Sequence, residues 1–180
     1  MPDALAPYSL TFARIALGLI FAASSLGKLR DFSAFEQAVE NFRVLPRQLV
    51  RACAYIFLGG EVAVVGLMFP GGKLFLMLGF LLAILLLSVF CIALLAVLVR
   101  RLRVPCNCFG SSQKPASPAD LWRNVGFLAC AFIGVDSLIT LPDAALKMSL
   151  GEAGLLGMMA VVFVALSVHL GEMIEAFRIS

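Results

Sequence analysis

Between Leu74 and Val99 the chain reads "LFLMLGFLLAILLLSVFCIALLAVLV", without one charged residue. A run of this length has no polar face to offer water, and inside lipid every backbone N–H and C=O must be satisfied within the protein. That leaves a helix or a closed barrel. Barrel strands alternate apolar and polar positions over about ten residues, and this run alternates nowhere, so it is a membrane-spanning helix. Four further runs approach or exceed the roughly 18 to 20 residues that cross a ~30 Å hydrocarbon core: Tyr8 to Leu26, Ala52 to Phe69, Leu121 to Leu141 and Gly151 to Met173. With 62% apolar and 14% charged residues and a mean hydropathy of +1.02, the 180 residues cannot supply the polar skin of a soluble domain. The expected fold is all-α: one domain over 1–180, a polytopic bundle of four to five transmembrane helices.

The first run is read as a retained span. "LGLIFAASS" resembles a cleavable apolar core, but it is preceded by Asp3 without a Lys and interrupted by Arg14, whereas a signal peptide has a positive start. No P-loop or GxGxxG phosphate motif occurs, and the +3 net charge belongs to loops, so nucleic acid is not an expected partner; the lipid bilayer is. Basic residues set orientation. With five spans, Lys28, Arg30, Arg43, Arg47, Arg51, Arg100, Arg101, Arg103, Lys114, Arg123 and Arg178 fall on one side, and Lys73 and Lys147 on the other. This bias puts the N-terminus outside and the tail cytoplasmic, in a bacterial inner membrane. The fifth span, with Glu152, His169 and Glu172 near its ends, is the one on which the count depends, and His169 reads as an interfacial polar residue.

Two polar stretches on the basic side carry helix signals. In "RDFSAFEQAVENFRVLP", Phe32, Phe35, Val39 and Phe42 recur at helical spacing, and Ser33 with Glu36 makes a capping box. A short amphipathic helix is therefore expected along the interface, covering the bundle end. In "SSQKPASPADLW", Ser117 suits an N-cap, Pro118 the first helical position and Asp120 the completion of the cap, so the fourth span starts there.

Between those stretches lies "RVPCNCFGSS". Pro105 and Gly110 constrain the loop, and Cys106 and Cys108 stand one residue apart. Residues i and i+2 have Cα atoms about 5.5 to 7 Å apart, near the upper range a disulfide tolerates. A bridge in so small a ring is strained, hence oxidising and suited to exchange. Neighbouring Arg and Lys residues favour the nucleophilic thiolate. Cys106 and Cys108 are the candidate catalytic pair. Against this stand two incidental loop cysteines, and a soft-ion site for Cu(I) or Hg(II). Zinc requires four ligands, and the one histidine is far along the chain, so no metal site is assigned. Cys53, at the basic end of the second span, is a candidate resolving thiol. Cys91 and Cys130, each roughly 12 to 14 Å deep by helical rise, can face each other as a relay, although a lone cysteine in a lipid helix is ordinarily a small apolar side chain.

Arg14, Glu61 and Asp136 fall within apolar spans, where an ionised group costs about 2.5 to 3.5 kcal/mol on insertion scales unless paired or hydrated. All three are expected to face the interior, with Arg14 paired to Asp136 or Glu61. Such a pair either fixes helix register or handles protons or a quinone. No cofactor is evident from the sequence, and a quinone is the one these charges admit.

The pattern "RIALGLIFAASSLGKLRDFSAF" followed by "VLP", Glu61 in "GGEVAVVGL", and "VPCNCFGS" with "LWRNVGFL" together resemble the MauE family of methylamine utilisation membrane proteins, within the broader DoxX-like group. The resemblance covers roughly residues 10 to 140, and the Cys-x-Cys-Phe-Gly element with the downstream Arg-Asn is its specific part. It implies assistance in maturing the small disulfide-rich β-subunit of periplasmic methylamine dehydrogenase, alongside a thioredoxin-like partner. By it Cys106 and Cys108 carry over as the redox pair, and Arg14, Lys28, Glu61, Arg123 and Asn124 as family-like positions without an assigned role. A cytoplasmic Cys-x-Cys that serves a periplasmic client then needs a route for electrons across or into the membrane. The competing functions are a non-enzymatic scaffold for the redox partner and a soft-metal carrier.

Overall fold

The computed structural model describes residues 5–42, 46–70, 72–102, 104, 115–141 and 149–178, with the side chains of 150 and 169–178 left out. Among these described residues six helices follow one another: α1 (Ala6–Arg30), α2 (Phe32–Asn41), α3 (Arg47–Met68), α4 (Lys73–Val99), α5 (Pro118–Thr140) and α6 (Leu150–Arg178). All but α2 are long and apolar enough to cross a membrane, so the bundle has five spans and one short helix, as the hydropathy predicts. α1 is the central element: it packs against α2, α3, α5 and α6, while α4 packs between α3 and α5. Small residues let it approach its neighbours, since Ala13 and Ala16 are fully covered along with Leu10, Leu17, Ile20 and Phe21. α6 rests mainly on α1 and turns Leu155, Met158, Met159, Val161, Val162 and Leu166 outward. In water such a face aggregates, whereas in lipid it is the correct exterior.

Two cationic side chains close the end of the bundle opposite α2. The Arg14 Nε donates to the Met68 carbonyl (2.7 Å) and its Nη2 to that of Phe69 (2.8 Å), satisfying carbonyls left over at the end of α3. Lys73 Nζ donates to the Leu141 carbonyl at the end of α5 (3.1 Å). The expected pairing of Arg14 with Asp136 or Glu61 is therefore corrected. Arg14 spends its donors on helix-end carbonyls, Asp136 lies on the exposed face of α5, and Glu61 is paired elsewhere. Asp136 sits only four residues before the end of α5, so its carboxylate reaches out of the apolar core without entering the interior.

α2 begins two positions earlier than its capping box suggests. Asp31, still outside the helix, accepts from Ala34 N (3.0 Å) and from the Ser33 hydroxyl (2.8 Å), so the cap is Asp31 and Ser33 is already helical. The start of α5 is as expected: Ser117 caps, Pro118 follows, and Asp120 completes a reciprocal box. α4 and α5 are held in register where Gly134 lies directly under the Phe80 ring, a position at which any Cβ would collide with it.

Candidate functional site

The most polar part of the interior is built around Lys28. Only two residues from the end of α1, it is 2% exposed. A lysine so placed ordinarily snorkels outward to the membrane surface. Lys28 instead runs back along its own helix, in the direction the Cα–Cβ bond already favours, and reaches Ser24 Oγ one turn earlier (3.0 Å) and Glu61 Oε1 on α3. Ser24 Oγ also donates to Glu61 Oε1 (3.0 Å). Two rings cover the ammonium: Phe35 of α2, with its centroid 4.7 Å from Nζ, and Phe57 of α3, at 4.9 Å.

This arrangement loads one carboxylate oxygen and leaves the other bare. Oε1 of Glu61 takes both donors, whereas Oε2, buried, has no hydrogen-bond partner among the described residues. It borders a small cavity of about 30 Å³ lined by Ser24, Lys28, Glu61 and Asn124 together with apolar residues, among them Phe57, Leu86 and Phe90. Such a volume holds an oxygen-sized group. Asn124 is fixed there by donating from Nδ2 to the Asp120 carbonyl (2.7 Å), and neighbouring Arg123 is bound by the Asp120 carboxylate (3.1 Å). The Arg-Asn dipeptide thus splits its work: Arg123 pairs with the cap of its own helix and Asn124 faces the cavity.

Beyond Phe57, Leu86 and Phe90 lies a much larger apolar groove of about 520 Å³, open between α2, α3 and α4. Phe35, Phe42, Ile56, Val89 and Ala93 line it, and the sulfur-bearing side chain on its wall is Cys53. The groove shares Phe42 and Phe90 with the cluster that receives Val104 and Ala116, after the end of α4 and before the start of α5. α4 ends in a Schellman turn in which Leu102 N reaches the Val97 carbonyl and Arg101 takes a left-handed conformation (φ 52°). Ala116 N then donates to the Val104 carbonyl (2.9 Å), tying the two ends of the intervening loop into a neck. That neck packs on Phe42, Phe90, Leu94 and Val97, so Phe42 and Phe90 belong at once to the neck's support and to the groove.

The structure therefore brings Lys28, Glu61 and Asn124 into one cavity, puts Cys53 on the adjoining groove, and leaves Arg14 and Asp136 at the far end. Cys106 and Cys108 lie outside the described residues, as does the His169 side chain. Cys53, Cys91 and Cys130 are free thiols. Cys91 and Cys130 do not meet at one level. α4 and α5 run antiparallel, with Gly134 against Phe80 and Asn124 beside Leu87 and Phe90, which sets Cys130 near Ile84 and Cys91 near Arg123. The offset is about two turns, on the order of 10 Å along the axes. Ser24, Phe57 and Phe90 also line the cavity, and the sequence alone does not single them out. The spacing of Ser24 four residues before Lys28 was the available signal for the first, and nothing distinguished the two phenylalanines from ordinary core residues.

The family model for the methylamine utilisation protein MauE matches residues 6–137. The methylamine utilization protein MauE of Paracoccus denitrificans is 36% identical over 169 residues, covering 91% of this chain and 87% of that one. No solved structure matches. Lys28, Glu61, Asn124 and the loop neck all fall inside the matched region, and with five membrane-spanning helices around them the chain is a multi-pass membrane protein that belongs to the MauE family, within the DoxX-like group.

Proposed function

We propose that this is an inner-membrane thiol–disulfide redox protein that assists disulfide formation in a periplasmic client during methylamine utilisation, by exchange with a thioredoxin-like partner. Cys106 and Cys108 are the exchanging pair, and Cys53, on the groove wall, is the candidate resolving thiol. The N-terminus lies outside, and the loop and the tail lie on the cytoplasmic side, where the basic residues gather. The observation that carries this reading is the neck at Val104 and Ala116. It joins Val104 and Ala116, which flank the stretch containing Cys106 and Cys108 in sequence, over an apolar cluster that shares Phe42 and Phe90 with the groove of Cys53, and this supports a reading in which electrons pass from that pair into the membrane.

The test is a double Cys106→Ser, Cys108→Ser variant of the full chain in membranes, assayed for disulfide turnover of a reduced thioredoxin-like partner. Loss of turnover with the variant still folded supports the reading. Retained turnover, or turnover lost only with loss of partner co-purification, favours a scaffold. Labelling of the pair by a membrane-impermeant maleimide in inverted vesicles and not in spheroplasts supports the stated orientation, and the reverse pattern overturns it.

A further inference from the structure

The groove and the small polar cavity behind it make a two-part site. The outer part is large, almost wholly apolar and open between α2, α3 and α4; the inner part is oxygen-sized and offers, beside the Lys28 ammonium, a buried carboxylate oxygen with no partner among the described residues. An acyl chain would fill the outer part but leave the inner one unused. A phospholipid headgroup is too large and too charged for it. The complement is a flat apolar body ending in a single oxygen able both to donate to Glu61 Oε2 and to accept from a cation or amide. Phe57 and Phe90, with ring centroids 6.1 Å apart at 48°, form the aromatic wall such a ring would lie against.

We infer that the groove between α2, α3 and α4 binds an isoprenoid quinone and its hydroquinone, with a hydroxyl of the reduced form directed at Glu61 Oε2 in the inner cavity. As an electron acceptor for thiols the quinone rests on the reading proposed above. In that step two thiols lose two electrons and two protons and form one S–S bond, while the two quinone carbonyls become the two hydroxyls of the hydroquinone. The hydroquinone hydroxyl donates to Oε2, so the carboxylate serves the reduced product more than the oxidised substrate. Electrons then leave the loop into the membrane plane and need no chain of cysteines across the bilayer.

Binding is tested separately from redox by photolabelling the full-length Cys106→Ser, Cys108→Ser variant with an azidoquinone in nanodiscs, then mapping the adducts by mass spectrometry. Adducts concentrated at 53–57 and 85–93, competed by decylubiquinone and not by added phosphatidylcholine, are expected. Val89→Trp, which fills the groove from its lipid-facing side, should abolish labelling, and Glu61→Gln should weaken competition by the reduced form, decylubiquinol, about tenfold, the equivalent of one hydrogen bond. Labelling spread over the exposed face of α6, or competed equally by phosphatidylcholine, overturns the site. Mapped labelling in the variant together with no reduction of decylubiquinone by the reduced wild-type chain leaves the binding site standing and overturns the thiol reading.

Discussion

Lys28 and Glu61 form an ion pair buried from lipid and water alike, contributed by α1 and α3, with side chains 2% and 4% exposed. Two charges in so poor a dielectric persist only together. Removing one strands the other, at a cost of about 3 to 5 kcal/mol, whereas replacing both by neutral groups of similar size is often tolerated. Glu61→Gln and Lys28→Met should therefore each lower thermal stability in detergent strongly, and the double variant should lose much less than the two losses combined. A thiol-reactive dye reporting exposure of Cys53, Cys91 and Cys130 on melting gives the measurement. Additive losses would mean that the two groups do not act as a pair.

Arg14 is expected to matter through α3 and α4, not through α5. Its two hydrogen bonds hold the carbonyls of Met68 and Phe69 where the chain turns toward α4, and hydrogen bonds from a charged donor are each worth about 1.5 to 3 kcal/mol. Arg14→Gln should cost roughly that much and loosen the α3–α4 turn in hydrogen exchange. Asp136→Asn, on the exposed face of α5, should leave the melting temperature unchanged. Equal losses in the two variants would restore the intramembrane pair between them.

What was legible in the sequence follows from which forces act locally. The spans were readable because a lipid solvent requires apolar length, and the Ser117 cap because capping is decided within four residues. The Lys28–Glu61 pair was not, because it joins positions 33 apart whose side chains meet only once α1 and α3 pack. Lys28 also looks like part of the basic loop when charges are counted by side, and the direction it takes depends on Ser24 and the two rings above it. The pairing assigned to Arg14 failed for a related reason: it weighed only charged partners, whereas helix ends inside a membrane offer carbonyls that are just as much in need of a donor. Cys106 and Cys108 were singled out from spacing and resemblance, and they lie outside the described residues.

Asp31 links pH to the seating of α2 over the groove. The Ala34 amide and then the Ser33 hydroxyl donate to its carboxylate and hold it below the usual carboxylate range. A depressed folded value means the cap contributes fully above the ordinary carboxylate pKa and is lost as pH falls through the lower folded value. Protection of the α2 amides, normalised for intrinsic exchange, should thus be flat through neutral pH and fall in acid. Asp31→Asn, which still caps but does not titrate, should flatten that acid fall. A fall of the same size in both proteins would place the titrating group elsewhere.

The register of α4 and α5 makes a definite statement about the deep cysteines. With Cys130 near Ile84 and Cys91 near Arg123, their separation along the axes alone is on the order of 10 Å, beyond the Cα distance of about 7 Å that a disulfide spans. Oxidation with a copper–phenanthroline catalyst should leave Cys91 and Cys130 unlinked in a variant that keeps only those two cysteines. Cys91→Ser and Cys130→Ser should each preserve redox turnover, since both thiols are small half-buried side chains in α4 and α5. Cys53→Ser, on the groove wall, is the single substitution of the three expected to slow turnover. Rapid cross-linking of Cys91 to Cys130 would instead show that the two helices slide by about two turns, and would bring back the relay through the bundle that the quinone groove makes unnecessary.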